Sequence, residues 1–430
     1  MMHTSQGFHT FNMFQRLNGK DATQLFQDFC KYRDDTKKIN MYIPKNEKER
    51  MDNAVKMRAA GVPVPRGPQV WRIDYVDDYV GLSWILRFNN NSRDYKEYIV
   101  EAIINPKILA GVRDYVAAAN EHYVHLAEER FNEEARKISE KLGKFSWYKL
   151  KRVDYCINFD LMEMAIGCAP EQMMQLIKHG DIPPYFVEWL KYDFISRRKR
   201  SGKYSHYLYS GSTNMNCYYK HAQLKDRYDD CPNINDALYV IRFEIQCKYP
   251  KIRSLSCCRY DDTDPSSYDI TRKLLSDQTS ADMIEKYFRR IVGRGDYYTL
   301  KDAKEIVESQ DFQPSKEQRL IDTLELINQY RGVAKFRQRL QNRGATADFN
   351  RSIKELGELG INPVTIPKSF GVRRIPNLLD TYYKMREAGT ISSEPVVDPF
   401  DSIDEPFEKI AHNADSDGLY EYEQDTDTAI

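Results

Sequence analysis

Three short runs that alternate strictly between polar and apolar residues constrain the fold of this chain more than any other feature. Arg152, Asp154, Cys156, Asn158 and Asp160 interleave with Val153, Tyr155, Ile157 and Phe159. Asn214, Asn216, Tyr218 and Lys220 interleave with Met215, Cys217 and Tyr219, and Arg242, Glu244, Gln246 and Lys248 with Ile241, Phe243, Ile245 and Cys247. A period of two is that of a strand, because successive side chains leave opposite faces of the backbone, whereas a helix would spread both classes around its surface. Each run therefore has one face for a core. The other carries Arg-x-Asp, Tyr-x-Lys or Arg-x-Glu. A half-exposed sheet also alternates, so a functional reading rests on the three runs together.

Around these runs the pattern predicts an α+β protein whose catalytic domain is a mainly antiparallel sheet plus helices. Further strands are expected at Gln69–Tyr75, Leu82–Phe88 and Glu97–Ile104. Helical spacing runs from Ala110 to Leu142, and short helices are expected after Ala169 and from Tyr185 to Tyr192. Residues 1–65 read as an N-terminal helical or irregular segment, closed by the helix-breaking Gly61-Val-Pro-Val-Pro-Arg-Gly67. The catalytic domain is placed at 66–264 and a helical domain at 265–389. In the latter, Ser315–Tyr330, Val333–Leu340 and Thr346–Leu359 resemble a helix-turn-helix, with Gly344 between the last two and Val364–Arg374 as a basic wing. Asn350, Arg351, Lys354, Arg373 and Arg374 are its candidate DNA contacts. The basic run Arg197, Arg198, Lys199 and Arg200, just ahead of the Tyr218 strand, is a second candidate phosphate-binding element. A solvated loop and a three-helix packing unit are the bland alternatives.

Charge is uneven along the 430 residues. Lys and Arg number 64, as do Asp and Glu, yet twelve of the acidic residues and only one lysine, Lys409, follow Gly389. The body carries 63 basic against 52 acidic residues, a surplus that suits a nucleic-acid partner, and 390–430 reads as a disordered acidic tail. Eight cysteines without a Cys-x-x-Cys pair argue against a zinc ribbon or a disulfide scaffold. No long apolar run or secretory leader is evident, so the expectation is a soluble bacterial cytoplasmic protein without membrane contact.

The polar strand faces suggest a chemistry. A phenol with a pKa of about 10 is a poor nucleophile at neutral pH, and a neighbouring cation lowers the cost of ionising it. Lys220, two residues from Tyr218, can supply that charge. Asp154 and Glu244 offer hard oxygens that suit Mg²⁺ or Mn²⁺, with Asn158 and Asp160 as weaker ligand candidates. Arg152 and Arg242 would either neutralise a phosphate or hold the two carboxylates in place. His122 and His125 read as surface residues of a helix.

In these residues the chain resembles the rolling-circle plasmid replication initiators of Gram-positive bacteria, a family that also includes conjugative-element relaxases. The resemblance lies in Arg152-Val-Asp154 with Asn158-Phe-Asp160, the Gly211-Ser212 turn leading to Tyr218-Tyr-Lys220, Arg242-Phe-Glu244, and Asn105-Pro-Lys-Ile-Leu109. It spans roughly residues 98–250. The resemblance implies an origin-binding, metal-dependent enzyme that nicks one DNA strand through Tyr218. A 5′-phosphotyrosyl intermediate and a 3′-hydroxyl for replication would result, and the strand would later be rejoined. The segment from Gly211 to Tyr218 is shorter than is usual in the family, which leaves Tyr219 as the alternative nucleophile. Single-stranded or extruded origin DNA, a host helicase and polymerase, and a second copy of the chain are the partners it implies. A non-catalytic DNA-binding regulator and a structural module are the rival readings.

Overall fold

The computed structural model describes residues 3–59, 69–89, 97–193, 198–200, 202–227, 233–256, 266–341 and 346–391. The Gly61–Gly67 breaker, Arg197, Gly344 and the acidic tail from 392 onward fall outside them.

Ten strands form one antiparallel sheet. In chain order they are β1 (Ser5–Leu17), β2 (Ile39–Tyr42), β3 (Gln69–Tyr75), β4 (Leu82–Asn89), β5 (Glu97–Ile104), β6 (Lys149–Asp160) and β7 (Val187–Glu188). A separate hairpin, β8 (Lys191–Asp193) and β9 (Arg198–Arg200), precedes β10 (Ser205–Tyr209), β11 (Thr213–Tyr219) and β12 (Val240–Cys247). Across the sheet the order is β2-β3-β4-β5-β1-β6-β12-β11-β10-β7. The three alternating runs are therefore neighbours. The fold is α+β.

Apolar side chains of alternate residues leave one face of this sheet, and helices cover them. Leu25 and Phe29 of α1 (Gly19–Thr36) are fully buried, and Phe29 packs near Trp84. After α2 (Lys45–Ala59) and the short α3 (Pro106–Leu109), α4 (Glu121–Ile138) sets Phe131 5.2 Å from the Trp84 ring. Met174 of α5 (Pro170–Lys178) meets Cys217. The α6 helix (Lys220–Arg227) follows β11 directly; α7 (Tyr249–Ser256) and α8 (Ser266–Leu274) follow β12. Burying each of these large side chains stabilises the fold by roughly 1.5–3 kcal/mol.

Three expectations need correction. The N-terminal segment is not irregular, since β1 lies in the middle of the sheet between β5 and β6. Its alternation is hidden because Phe8 and Phe11, both buried, are three residues apart rather than two. Tyr185–Tyr192 is not a helix: two prolines precede it, and it supplies β7 and part of β8. Nor does the chain divide cleanly near 264. Helix α9 (Asp277–Ile291) packs Phe288 against Phe159 and Phe243, so the helical region shares the core of the sheet.

Beyond it, β13 (Tyr297–Tyr298) is followed by α10 (Leu300–Glu308), α11 (Pro314–Tyr330), α12 (Val333–Gln341) and α13 (Thr346–Glu358). The strand β14 (Arg374–Ile375) pairs back on β13, and α14 (Leu378–Glu387) closes the described chain. Leu320, Leu324, Leu356 and Ile361 form a small core of their own. The three helices expected between 315 and 359 are present. The basic wing is reduced to β14 against Tyr297–Tyr298.

Candidate active site

The registers of β6, β12 and β11 set the polar residues out in rows. Asp154 faces Gln246, which faces Asn214; Cys156 faces Glu244, which faces Asn216; Asn158 faces Arg242, which faces Tyr218. Directly opposed residues share a face, so all of these stand on the side away from the helices of the core. On the other side of β6, β1 contributes an irregularity. Its pairing passes from Phe8↔Tyr155 to Phe11↔Val153, so His9 and Thr10 together oppose the single residue Asp154. This is a β-bulge, a device that re-aims side chains. It turns both His9 and Thr10 onto the site.

The resulting cluster is tight. One ligating atom from each of His9, Asp154 and Glu244 lies within 4.8 Å of the others. His9 Nδ1 is 3.1 Å from Glu244 Oε2, and the Tyr218 hydroxyl donates to the same oxygen at 3.4 Å. Asp154 Oδ2 accepts from Thr10 Oγ1 at 2.5 Å and from Arg152 Nη2 at 3.1 Å. Its other oxygen, Oδ1, is buried without a hydrogen-bond partner among the described residues. Lys220, buried at the start of α6, places its ammonium 5.9 Å from the centre of the Tyr218 ring and donates to Gln223. Tyr218 is itself only 6% exposed.

Electrostatics separate the two carboxyls. Burial pushes Asp154 up to about 6; Arg152 opposes the shift and Glu244 adds to it. Burial would raise Glu244 as well, but His9, Arg242 and Lys220 outweigh it and hold the group low, at about 2. Burial lowers His9 to about 4 despite the adjacent Glu244, so its imidazole is neutral at pH 7. A neutral imidazole, an ionised glutamate and an aspartate with an unpaired oxygen fit a divalent cation as donors.

Two expected ligands are occupied elsewhere. Asn158 is fully buried; its Oδ1 accepts from Arg242 Nε at 2.7 Å, and its Nδ2 donates to the Val116 carbonyl at 2.6 Å. Arg242 Nη2 also donates to the Val116 carbonyl, so this pair anchors the loop after α3. That loop can approach because residue 7 is glycine. A Cβ there would sit 1.8 Å from the Ala119 carbonyl oxygen. Asp160 accepts the backbone N–H groups of Met162 and Glu163 and caps the turn after β6. Arg152 pairs with Asp154. Tyr219 points the other way, its hydroxyl donating to the Leu238 carbonyl at 2.8 Å. His125 is exposed on α4 and meets Arg272.

The expected DNA contacts are mostly paired within the chain. Asn350 accepts from Arg337, Arg351 lies 3.4 Å from Asp348, and Lys354 lies 3.7 Å from Glu358. Arg373 pairs with Asp302, and Arg374 with Asp296 at 2.7 Å. Arg198, Lys199 and Arg200 form β9. Helix α12 and its approach differ. Arg331, Lys335 and Arg339 are exposed and make no ion pair with a described residue, and the sequence holds no Asp or Glu from 326 to 347.

His9, Thr10 and the α12 cations are the residues that sequence reading missed. The first two had one signal, the three-residue gap between Phe8 and Phe11 in an otherwise alternating run. No protein-family model matches the chain, and no curated protein matches it. Among solved structures it is similar to a rolling circle replication initiator protein from Geobacillus stearothermophilus, at 8% identity. That likeness covers 67% of this chain and 85% of the other with a TM-score of 0.29, too faint to decide anything about chemistry.

Proposed function

We propose that this chain is a replication-initiation protein that nicks and rejoins one DNA strand through Tyr218. The observation that carries the reading is the Tyr218 hydroxyl 3.4 Å from Glu244, on the sheet face that also gathers His9 and Asp154. Glu244 orients the phenol through the hydrogen bond from its hydroxyl and passes the proton on as the oxygen attacks phosphorus, without retaining it. The Tyr218–O–P bond forms, the P–O3′ bond breaks, and the proton lost by the phenol ends on the departing 3′-oxygen, which leaves a 5′-phosphotyrosyl link and a 3′-hydroxyl. Because one phosphoester replaces another, the reverse attack rejoins the strand. Lys220 and Arg242 keep positive charge beside the phenol and Glu244, where negative charge passes during the step. His9, Asp154 and Glu244 would hold Mg²⁺ or Mn²⁺, which when bound polarises the scissile phosphate. The 3′-hydroxyl is then the primer for a host polymerase working behind a helicase.

The test is incubation of supercoiled plasmid carrying the DNA around this chain's own gene with protein and Mg²⁺ or Mn²⁺. Wild type and Tyr219→Phe should give relaxed circles and a covalent protein–DNA adduct, and Tyr218→Phe neither. Nicking retained by Tyr218→Phe sinks the proposal. A second reading, DNA binding without cleavage, has one observation in its favour, the exposed Arg331, Lys335 and Arg339, which make no ion pair among the described residues. It predicts binding with no adduct from any variant.

A further inference from the structure

The site's sheet face continues beyond β11 onto β10 and the edge strand β7, and there it becomes aromatic. Tyr207 faces Asn216, the neighbour of Glu244, while Tyr209 faces Asn214. Val187 faces Tyr209, and the Trp189 backbone N–H donates to the Tyr207 carbonyl, which extends the pairing by one residue. All four side chains therefore stand on the face that carries Tyr218 and Glu244. The Tyr207 and Tyr209 rings lie nearly parallel, 22° apart, with centroids 6.5 Å from one another. Tyr209 is 40% and Val187 54% exposed.

An edge strand with exposed aromatic and apolar side chains is a liability that proteins ordinarily blunt. Its position here supplies a reason to keep it. Two interstrand spacings, on the order of 10 Å, separate the Tyr207 row from Glu244. The hairpin that follows β7 adds Lys191, Arg198, Lys199 and Arg200 in sequence, a charge excess complementary to a phosphate backbone.

We infer that Tyr207 and Tyr209 form a stacking platform for unpaired bases next to the scissile phosphate, so that the strand reaches Tyr218 in single-stranded form. The inference rests on the proposed function; what it adds is the pair of side chains that hold the substrate strand. Aromatic faces accept any base, so the platform orients the strand with little sequence preference. Selection of the nick site then falls to other contacts.

The experiment measures binding of a fluorescein-labelled single-stranded oligonucleotide, and of a blunt duplex of the same length, by fluorescence anisotropy. Tyr209→Phe, which keeps the ring, should bind single strands as wild type does. Tyr209→Leu should weaken single-strand binding by roughly 5- to 150-fold and Tyr207→Leu/Tyr209→Leu further, with duplex binding unchanged. Circular dichroism melts check that the variants are folded, as expected for replacements at an exposed edge. Leucine variants that bind single strands as tightly as wild type, or that lose duplex binding in the same proportion, overturn the platform. Nicking by wild type with no effect of the leucine changes on single-strand binding would leave Tyr218 standing and remove only this inference.

Discussion

Replacing Asp154 by asparagine keeps the shape of the side chain and removes its charge, and it should make the metal-free protein more stable. Asp154 is 2% exposed, and its Oδ1 has no partner among the described residues. Burial, opposed by Arg152 and reinforced by Glu244, raises its pKa from 3.8 to about 6. A gap of about two units at 1.36 kcal/mol per unit means that ionised Asp154 costs about 3 kcal/mol of folding free energy at neutral pH. The sign follows from linkage. With a raised folded-state pKa, stability is full below the unfolded value, falls as pH rises through about 6, and is level above it. The Asp154→Asn gain should therefore be about 3 kcal/mol near pH 7 and vanish toward pH 4. Urea unfolding in chelator at a series of pH values measures it. The reasoning fails if the variant is no more stable than wild type near neutrality, or if its gain is the same in acid. The same variant should lose nicking, so the carboxylate would be retained for function at the expense of stability.

The other two predictions concern ligands of the protein. Mn²⁺ affinity by calorimetry should fall roughly tenfold per pH unit below about 6, as a proton competes for Asp154 while His9, lowered to about 4, stays neutral. His9→Ala should weaken binding across the whole range, and a flat profile from neutrality down to pH 5 would exclude Asp154 as a ligand. Changing Arg331, Lys335 and Arg339 together to alanine should reduce the slope of log affinity for duplex DNA against log salt by about 2.7, at 0.9 for each lost phosphate contact. Arg351→Ala with Lys354→Ala should change it less, since both side chains lie near carboxylates of their own helix. An unchanged slope in the triple variant would place the phosphate contacts elsewhere.

The parts of the fold legible in the sequence were those with an unbroken local period. The bounds of β3 and β5 match their expected ranges, and the helices α11 to α13 fall where apolar residues recur at three and four. The antiparallel neighbourhood of β6, β12 and β11 was likewise readable from three matching alternations. Reading failed where a long-range contact decides the local structure. Asn158 looks like a ligand on a polar strand face until the Val116 carbonyl, 42 positions earlier, is found against it. The prolines and aromatics around Tyr185 fit a helix as well as a strand, and only pairing with β10 distinguishes them. A paired arginine such as Arg374 cannot be told from a DNA contact without the fold that brings Asp296 to it.

The site's dependence on register explains why a bulge belongs at its centre. Along β6 each residue on the site face is flanked by core residues: Asp154 by Val153 and Tyr155, Asn158 by Ile157 and Phe159. A one-residue slip of β6 would bury Asp154 and Asn158 among the helices and expose Tyr155 and Ile157, so the core that fixes the register also fixes the site. Regular pairing of β1 could present only one side chain to the site beside Asp154. The extra residue lets His9 reach Glu244 while Thr10 bonds Asp154, and it returns Phe11 and Met13 to the core. Deleting either His9 or Thr10 would leave a regular strand in which Phe8 still pairs with Tyr155 and Phe11 with Val153, so the fold would keep its register while the site lost one of its two side chains. The bulge thus joins the least informative stretch of the sequence to the most constrained part of the molecule.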